Sequence, residues 1–133
     1  MANALYDKGR EKFLTGAINA SADTLKCALL KNTYSPTMAS DEFFSTLSAH
    51  VVGTPQTLTG KTVTGGVFDA ADVTFLAVPT ATVTYCAIYK DTGTAATSPL
   101  IALFDTAAGL PVSTNGGDII MAWDSGPNKI FKL

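Results

Sequence analysis

Val83-Thr84-Tyr85-Cys86-Ala87-Ile88-Tyr89 and, after a Gly- and Thr-rich break, Leu100-Ile101-Ala102-Leu103-Phe104 decide how this chain folds. In the first run Val83, Tyr85, Ala87 and Tyr89 alternate with Thr84, Cys86 and Ile88, the period of two that a strand requires. Both alternating sets are largely apolar, and the second run is apolar throughout. Strands apolar on both faces sit in the middle of a layered structure, covered above and below. Central strands are therefore predicted over 82–90 and 99–105.

The same texture extends outward. From residue 50 onward Thr and Val dominate, and Gly or Pro recurs between short runs, as in domains of closely spaced strands. Further strands are predicted over 50–59, 61–69, 72–78, 110–113, 118–124 and 129–133. Gly65-Gly66 marks a bulge or a tight turn. Asn115-Gly116 predicts a hairpin between Pro111-Val112 and Ile119-Ile120. Upstream, Leu25, Cys27 and Leu29 share one face of a strand predicted over 23–31. Residues 32–39, with Asn32, Ser35 and Pro36, read as a loop. A short helix is predicted over 41–49, capped by Ser40, with Phe43, Phe44 and Leu47 on its apolar side.

An amphipathic helix is predicted over 3–18. Asn3 is its N-cap. Leu5, Tyr6, Phe13, Leu14, Ala17 and Ile18 fall on one side, and Asp7, Lys8, Arg10, Glu11 and Lys12 fill much of the other. A helix this short must dock, either on its own sheet or on a neighbouring protomer or capsid subunit. The charged side, in an otherwise charge-poor protein, places it at the edge of an assembly. The expected architecture is mainly β: an antiparallel β-sandwich or flattened barrel of about seven to eight strands, with an N-terminal helix and one short helix. The chain reads as a single domain, with 1–20 as helix or arm and 22–133 as a β-rich body.

Composition narrows the function. Of 133 residues, 47% are apolar and 15% charged, against about 25% charged in ordinary domains. Disorder needs the opposite balance. The net charge of -2 argues against a nucleic-acid partner held through phosphates. No run of apolar residues is long enough for a membrane span, so no membrane partner is expected. Low surface charge also fits a protein partly covered by other chains.

Catalytic chemistry finds little to work with. His50 is the single histidine, which leaves no zinc ligand set and, without a GxSxG elbow, no serine triad. Asp69, Asp72, Asp91, Asp105, Asp118 and Asp124 mostly flank strands beside Gly, Thr or Ala, where Asp closes turns through its own side chain. Asp91-Thr92-Gly93-Thr94 reads as a hairpin loop rather than a phosphoryl-transfer site. The aromatic residues Phe75, Tyr85, Tyr89, Phe104 and Trp123 lie in apolar runs and read as core or subunit contacts rather than a sugar or base platform. No catalytic residue, cofactor or metal site is expected.

Cys27 and Cys86 lie inside apolar runs without CxxC spacing. They read as buried, reduced thiols acting as small hydrophobes, with a cross-strand disulfide as the alternative for an extracellular protein. The opening Met1 to Lys8 has no charged start followed by an apolar stretch, so it does not read as a signal peptide and synthesis in a cytosol is expected. Asn19-Ala20-Ser21 matches a glycosylation sequon but carries no weight without secretion.

Four segments resemble small virion proteins encoded by tailed bacteriophages: Met1 through Leu14; Phe68-Asp69-Ala70-Ala71-Asp72-Val73-Thr74-Phe75; Ile88-Tyr89-Lys90-Asp91-Thr92-Gly93-Thr94; and Asn115 through Ile119, Trp123-Asp124 and Asn128 to Leu133. The similarity covers nearly the full chain, and its motifs are structural rather than chemical. It implies a non-enzymatic capsid decoration (cement) protein, made in the bacterial host cytoplasm, that staples the outer surface of the shell. The partner implied is the major capsid protein or another virion protein. A homo-oligomer is implied too, by analogy a trimer. The alternative is a tail- or fibre-associated module that binds a receptor or glycan. For the decoration role the expected contact residues are Leu5, Tyr6, Arg10 and Phe13 on the helix, with Tyr34, Phe43 and Phe44 in 32–49.

Overall fold

A computed structural model describes residues 4–105, 110–123, 126–127 and 129–133. Its fold is mainly β and antiparallel, a sandwich-like stack built on one large sheet. That sheet runs in the order β1 (Ala4–Leu5), β8 (Leu100–Phe104), β7 (Thr82–Lys90), β2 (Leu25–Lys31), β3 (Val51–Thr57). Where β8 stops, β9 (Val112–Ser113) takes over as partner to the start of β7. The apolar runs 82–90 and 100–104 are thus neighbouring strands inside the sheet.

Both faces of the large sheet are covered, which is why its strands are apolar on both sides. On one face Leu25, Cys27, Leu29, Cys86, Ile88 and Phe104 meet two narrow ribbons. One ribbon is β6 (Val73–Phe75) with β10 (Ile119–Met121); the other is β4 (Thr62–Thr64), β5 (Val67–Asp69) and β11 (Phe131–Lys132). They supply Val73, Phe75, Met121, Phe68 and Phe131 to the core. On the other face Ala28, Leu30, Ala87, Tyr89, Leu100 and Leu103 are covered by Tyr6 and by Tyr34, Phe44 and Leu47. The register between β7 and β8 shifts after Ile88, so that Ala102 pairs with Ile88 and Leu100 with Tyr89. Ile101 is the extra residue, and the bulge lets two consecutive side chains of β8, Ile101 and Ala102, enter the same core.

Four expectations are corrected. The predicted helix over 3–18 is shorter: Ala4–Leu5 forms β1, and α1 spans Asp7–Leu14. β1 pairs with the free edge of β8, and the Tyr6 N–H donates to Ile101 O at 2.9 Å. Sheet pairing there satisfies backbone groups that a helix would otherwise have to satisfy itself. The expected cap Asn3 lies outside the described residues. The short helix over 41–49 is instead two successive 3-10 turns, Phe44–Thr46 and Ser48–His50, and Ser40 does not cap them. The hairpin expected at Asn115-Gly116 does not form: β9 pairs with β7 and β10 with β6, so this turn carries the chain from the large sheet to a ribbon. Finally, Cys27 and Cys86 are buried but bonded to one another. Leu29 pairs with Cys86 and Cys27 with Ile88, so the two cysteines are diagonal neighbours on one face. Their Cα atoms are 6.6 Å apart, within disulfide reach.

Gly65-Gly66 resolves as a tight turn. Both residues have positive φ, 60° and 78°, as a two-residue hairpin turn of the primed type needs. The single strand expected over 61–69 is thereby split into β4 and β5. This split and β1 raise the number of strands among the described residues to eleven.

Candidate interaction surface

Helix α1 is held unusually close to the sheet. A Cβ on Gly9 would lie 2.5 Å from Leu100 O, so only glycine permits this approach. The close seat turns Phe13 onto Phe131, ring centroids 6.0 Å apart, and Phe131 stacks on Phe68 at 5.1 Å. Leu14, one residue further, points away and is 88% exposed. Past it, Gly16 adopts φ 79° and ends the helix in the left-handed conformation that glycine favours. Ile18 then re-enters the core.

Two adjoining hollows of about 360 and 420 Å³ open beside this junction. Phe13 and Leu133 line both. Val63 from β4 walls the first, and Leu14, Arg10 and Lys132 wall the second. Together they form one apolar groove with two cations in its lining, of which Arg10 also lies 3.7 Å from Asp7. A second exposed apolar surface lies on the β6–β10 ribbon, where Leu76 and Ile120 are 70% and 61% exposed. Exposed apolar groups gathered in patches mark places where other molecules sit.

The residues expected to make contacts divide between surface and interior. Arg10 is exposed, 3.7 Å from Asp7. Phe13 is partly buried on its own core. Phe43 is half-buried, with Lys12 Nζ 5.5 Å above its ring, and Lys12 also pairs with Glu42 at 2.9 Å. Leu5, Tyr6, Tyr34 and Phe44 are buried within the chain. Tyr34 donates to Asp41 Oδ2 at 2.6 Å and lies 3.0 Å from the Tyr6 hydroxyl. Since the Tyr34 proton goes to Asp41, Tyr6 donates to Tyr34. Burial pushes the pKa of both phenols above the ordinary value. This relay fastens 32–41 to the sheet. Sequence reasoning placed the apolar patches only in part: Val63, Leu76, Ile120 and Leu133 sit at ordinary strand positions, and no local signal marks their faces as uncovered.

The side chains screened for chemistry are mostly tied into the fold. Asp91 accepts from the Gly93 N–H at 3.0 Å and pairs with Lys26 at 3.2 Å. The Gly93 N–H first, then Lys26, hold its carboxyl below the usual range despite partial burial. Asp118 accepts from the Ala77 N–H, and Asp72 from the Trp123 N–H. Asp124 lies outside the described residues. His50 Nδ1 is 2.7 Å from Thr33 Oγ1. Phe75, Tyr89, Phe104 and Trp123 are buried in the two cores, and Tyr85 is half-buried. Among the described residues no group of three or more His, Cys, Asp or Glu is placed to hold a metal, and no helix is long and apolar enough to cross a membrane. Comparison with protein-family models and with curated proteins finds no match for this chain.

Proposed function

We propose that the chain is a non-enzymatic structural protein of a tailed-bacteriophage virion, acting as a decoration protein on the outer surface of the capsid. The family reading rests on the resemblance of the segments quoted above. What supports a structural role is the surface: two apolar patches stand open on a chain whose charged side chains largely fasten one part of the fold to another. Lys90 bonds Asp23 at 3.2 Å and the Ala17 carbonyl at 2.9 Å, Lys61 reaches the Asp23 carbonyl, and Lys12 holds Glu42. The apolar surface left free on such a molecule suits adhesion to protein. Engaging several capsid sites at once through an oligomer would multiply modest contacts. The major capsid protein is the proposed partner.

Quantitative mass spectrometry of purified particles tests this reading. Hundreds of copies per particle are expected of a protein that covers a shell, and a cryo-electron map should place them outside the capsid. A few copies at the tail would move the protein to the tail, and absence from particles would end the virion reading.

A further inference from the structure

Among the described residues, the large apolar side chains most open to solvent fall into two groups: Leu14, Val63 and Leu133 at the groove, and Leu76 and Ile120 on the β6–β10 ribbon. The groups differ in charge. The groove is lined by Arg10 and Lys132. The ribbon and its flanks, residues 71–79 and 115–123, carry just two charged residues, Asp72 and Asp118, both exposed. The groups also differ in place. Helix α1 packs on β8, near one edge of the large sheet, whereas β6 packs on β3 at the other edge.

We infer that the groove of one copy receives the β6–β10 face of a second copy, head to tail. A like-with-like contact would set cations against cations at the groove, or carboxylates against carboxylates at the ribbon, and charge repulsion opposes both. Groove against ribbon sets Leu14 and Val63 against Leu76 and Ile120, and Arg10 and Lys132 toward Asp72 and Asp118. Apolar burial drives this contact; exposed ion pairs add little strength but select orientation and speed encounter. Because the two surfaces lie at opposite edges, each copy uses both at once, and the contact propagates until it closes into a ring. The inference rests on the oligomer that the decoration reading calls for and names the surfaces that build it.

Native mass spectrometry of the purified chain and two variants tests the contact. Ile120→Lys puts a cation on the acidic face, and Leu14→Gln removes the apolar anchor from the groove without adding a charge that could pair with that cation; both positions are exposed. The unaltered chain should form one closed oligomer. Each variant alone should be monomeric at concentrations tenfold above those that assemble the unaltered chain. Mixed in equal amounts they should form a heterodimer and nothing larger, because one retains a sound groove and the other a sound ribbon. Melting temperatures check that each variant folds, and Leu76→Lys or Val63→Gln replaces one that does not. A monomeric unaltered chain, a variant that keeps the full oligomer mass, or a mixture without heterodimer would each overturn the inference. A monomer in solution with hundreds of copies on particles would remove the contact and leave the virion reading. The heterodimer pattern in a protein absent from particles would do the reverse.

Discussion

In the large sheet, β2, β7 and β8 bury both faces, with five to nine residues per strand. In the two ribbons the strands are two or three residues long; β5, β6, β10 and β11 turn one face to the core and the other to solvent, and β4 is exposed along its whole length. The sheet is held by long ladders and by cores on both sides. The ribbons are held by one apolar face each and by isolated ties such as Trp123 Nε1 to Ala71 O at 3.1 Å. An apolar side chain in the sheet is explained by the fold. An apolar side chain on the outer face of a ribbon, such as Ile120, is not, which is why the surface patches gather there and at the adjoining groove.

The largest expected effect lies in the sheet. The Cys27–Cys86 bond spans a sequence separation of 59, for which loop-closure entropy gives about 4 kcal/mol of stabilisation. Urea unfolding with and without reductant should show a large drop in midpoint; an unmoved midpoint would mean that the thiols are not joined. Next, Leu29→Ala empties a fully buried position and should cost about 3 kcal/mol. A loss under ~1 kcal/mol would show that the sheet can collapse around the gap, contrary to a tightly packed two-sided core.

Gly9→Ala tests the junction between helix and sheet. Its Cβ meets the backbone at Leu100 O, where no side-chain rotation relieves it, so a loss of about 2 kcal/mol is expected. Thermal melting of the two proteins side by side decides it, and equal melting points would show that the helix is free to lift.

Alkaline pH separates the two faces of the sheet. Tyr6, Tyr34 and Tyr89 all lie on the face covered by 32–50, and burial, followed by Asp91, pushes Tyr89 up to about 12. A raised phenol favours the folded state's neutral form, so its contribution is complete below the unfolded value of about 10. It declines as pH rises from there through the folded value. Stability should therefore be level between neutrality and that point and fall beyond it, with a shallower fall in Tyr89→Phe. An identical alkaline profile in the variant would contradict the assignment. The smallest effect is expected on the ribbon. Ile120→Ala removes an exposed side chain and should alter the monomer's stability by no more than ~0.5 kcal/mol. A loss comparable to Leu29→Ala would show that the outer face is covered within the chain after all.

The contrast between sheet and ribbons also explains what was legible beforehand. Strand 82–90 was readable to the residue, and 99–105 within one residue at each end, because a run covered on both sides is apolar at most of its positions. The ribbon strands were located, but their partners were not: Asn115-Gly116 carries a strong turn signal, yet it joins strands of different sheets. The α1 boundary was misplaced because Leu5 and Tyr6 fit a helical stripe as well as they fit β1. Of the surface, Arg10, Phe13 and Leu14 were readable as parts of an amphipathic helix. The burial of Tyr6, Tyr34 and Phe44 was not, since an aromatic in a loop-rich stretch is equally suited to cover a sheet or to face a partner.

Local periodicity and turn chemistry determined the antiparallel β character of this protein, its central strands and the break at Gly65-Gly66. Those features depend on neighbours a few residues apart, so any window of sequence contains the information. Which strands pair, which cysteines bond and which apolar faces stay open depend on residues far apart in the chain. Cys27 meets Cys86 because β2 lies beside β7 in one register, and Ile120 stays exposed because no other described residue covers the outer face of β6–β10. Those outcomes are decided by tertiary packing, where contact is a property of two segments and is written in neither one alone.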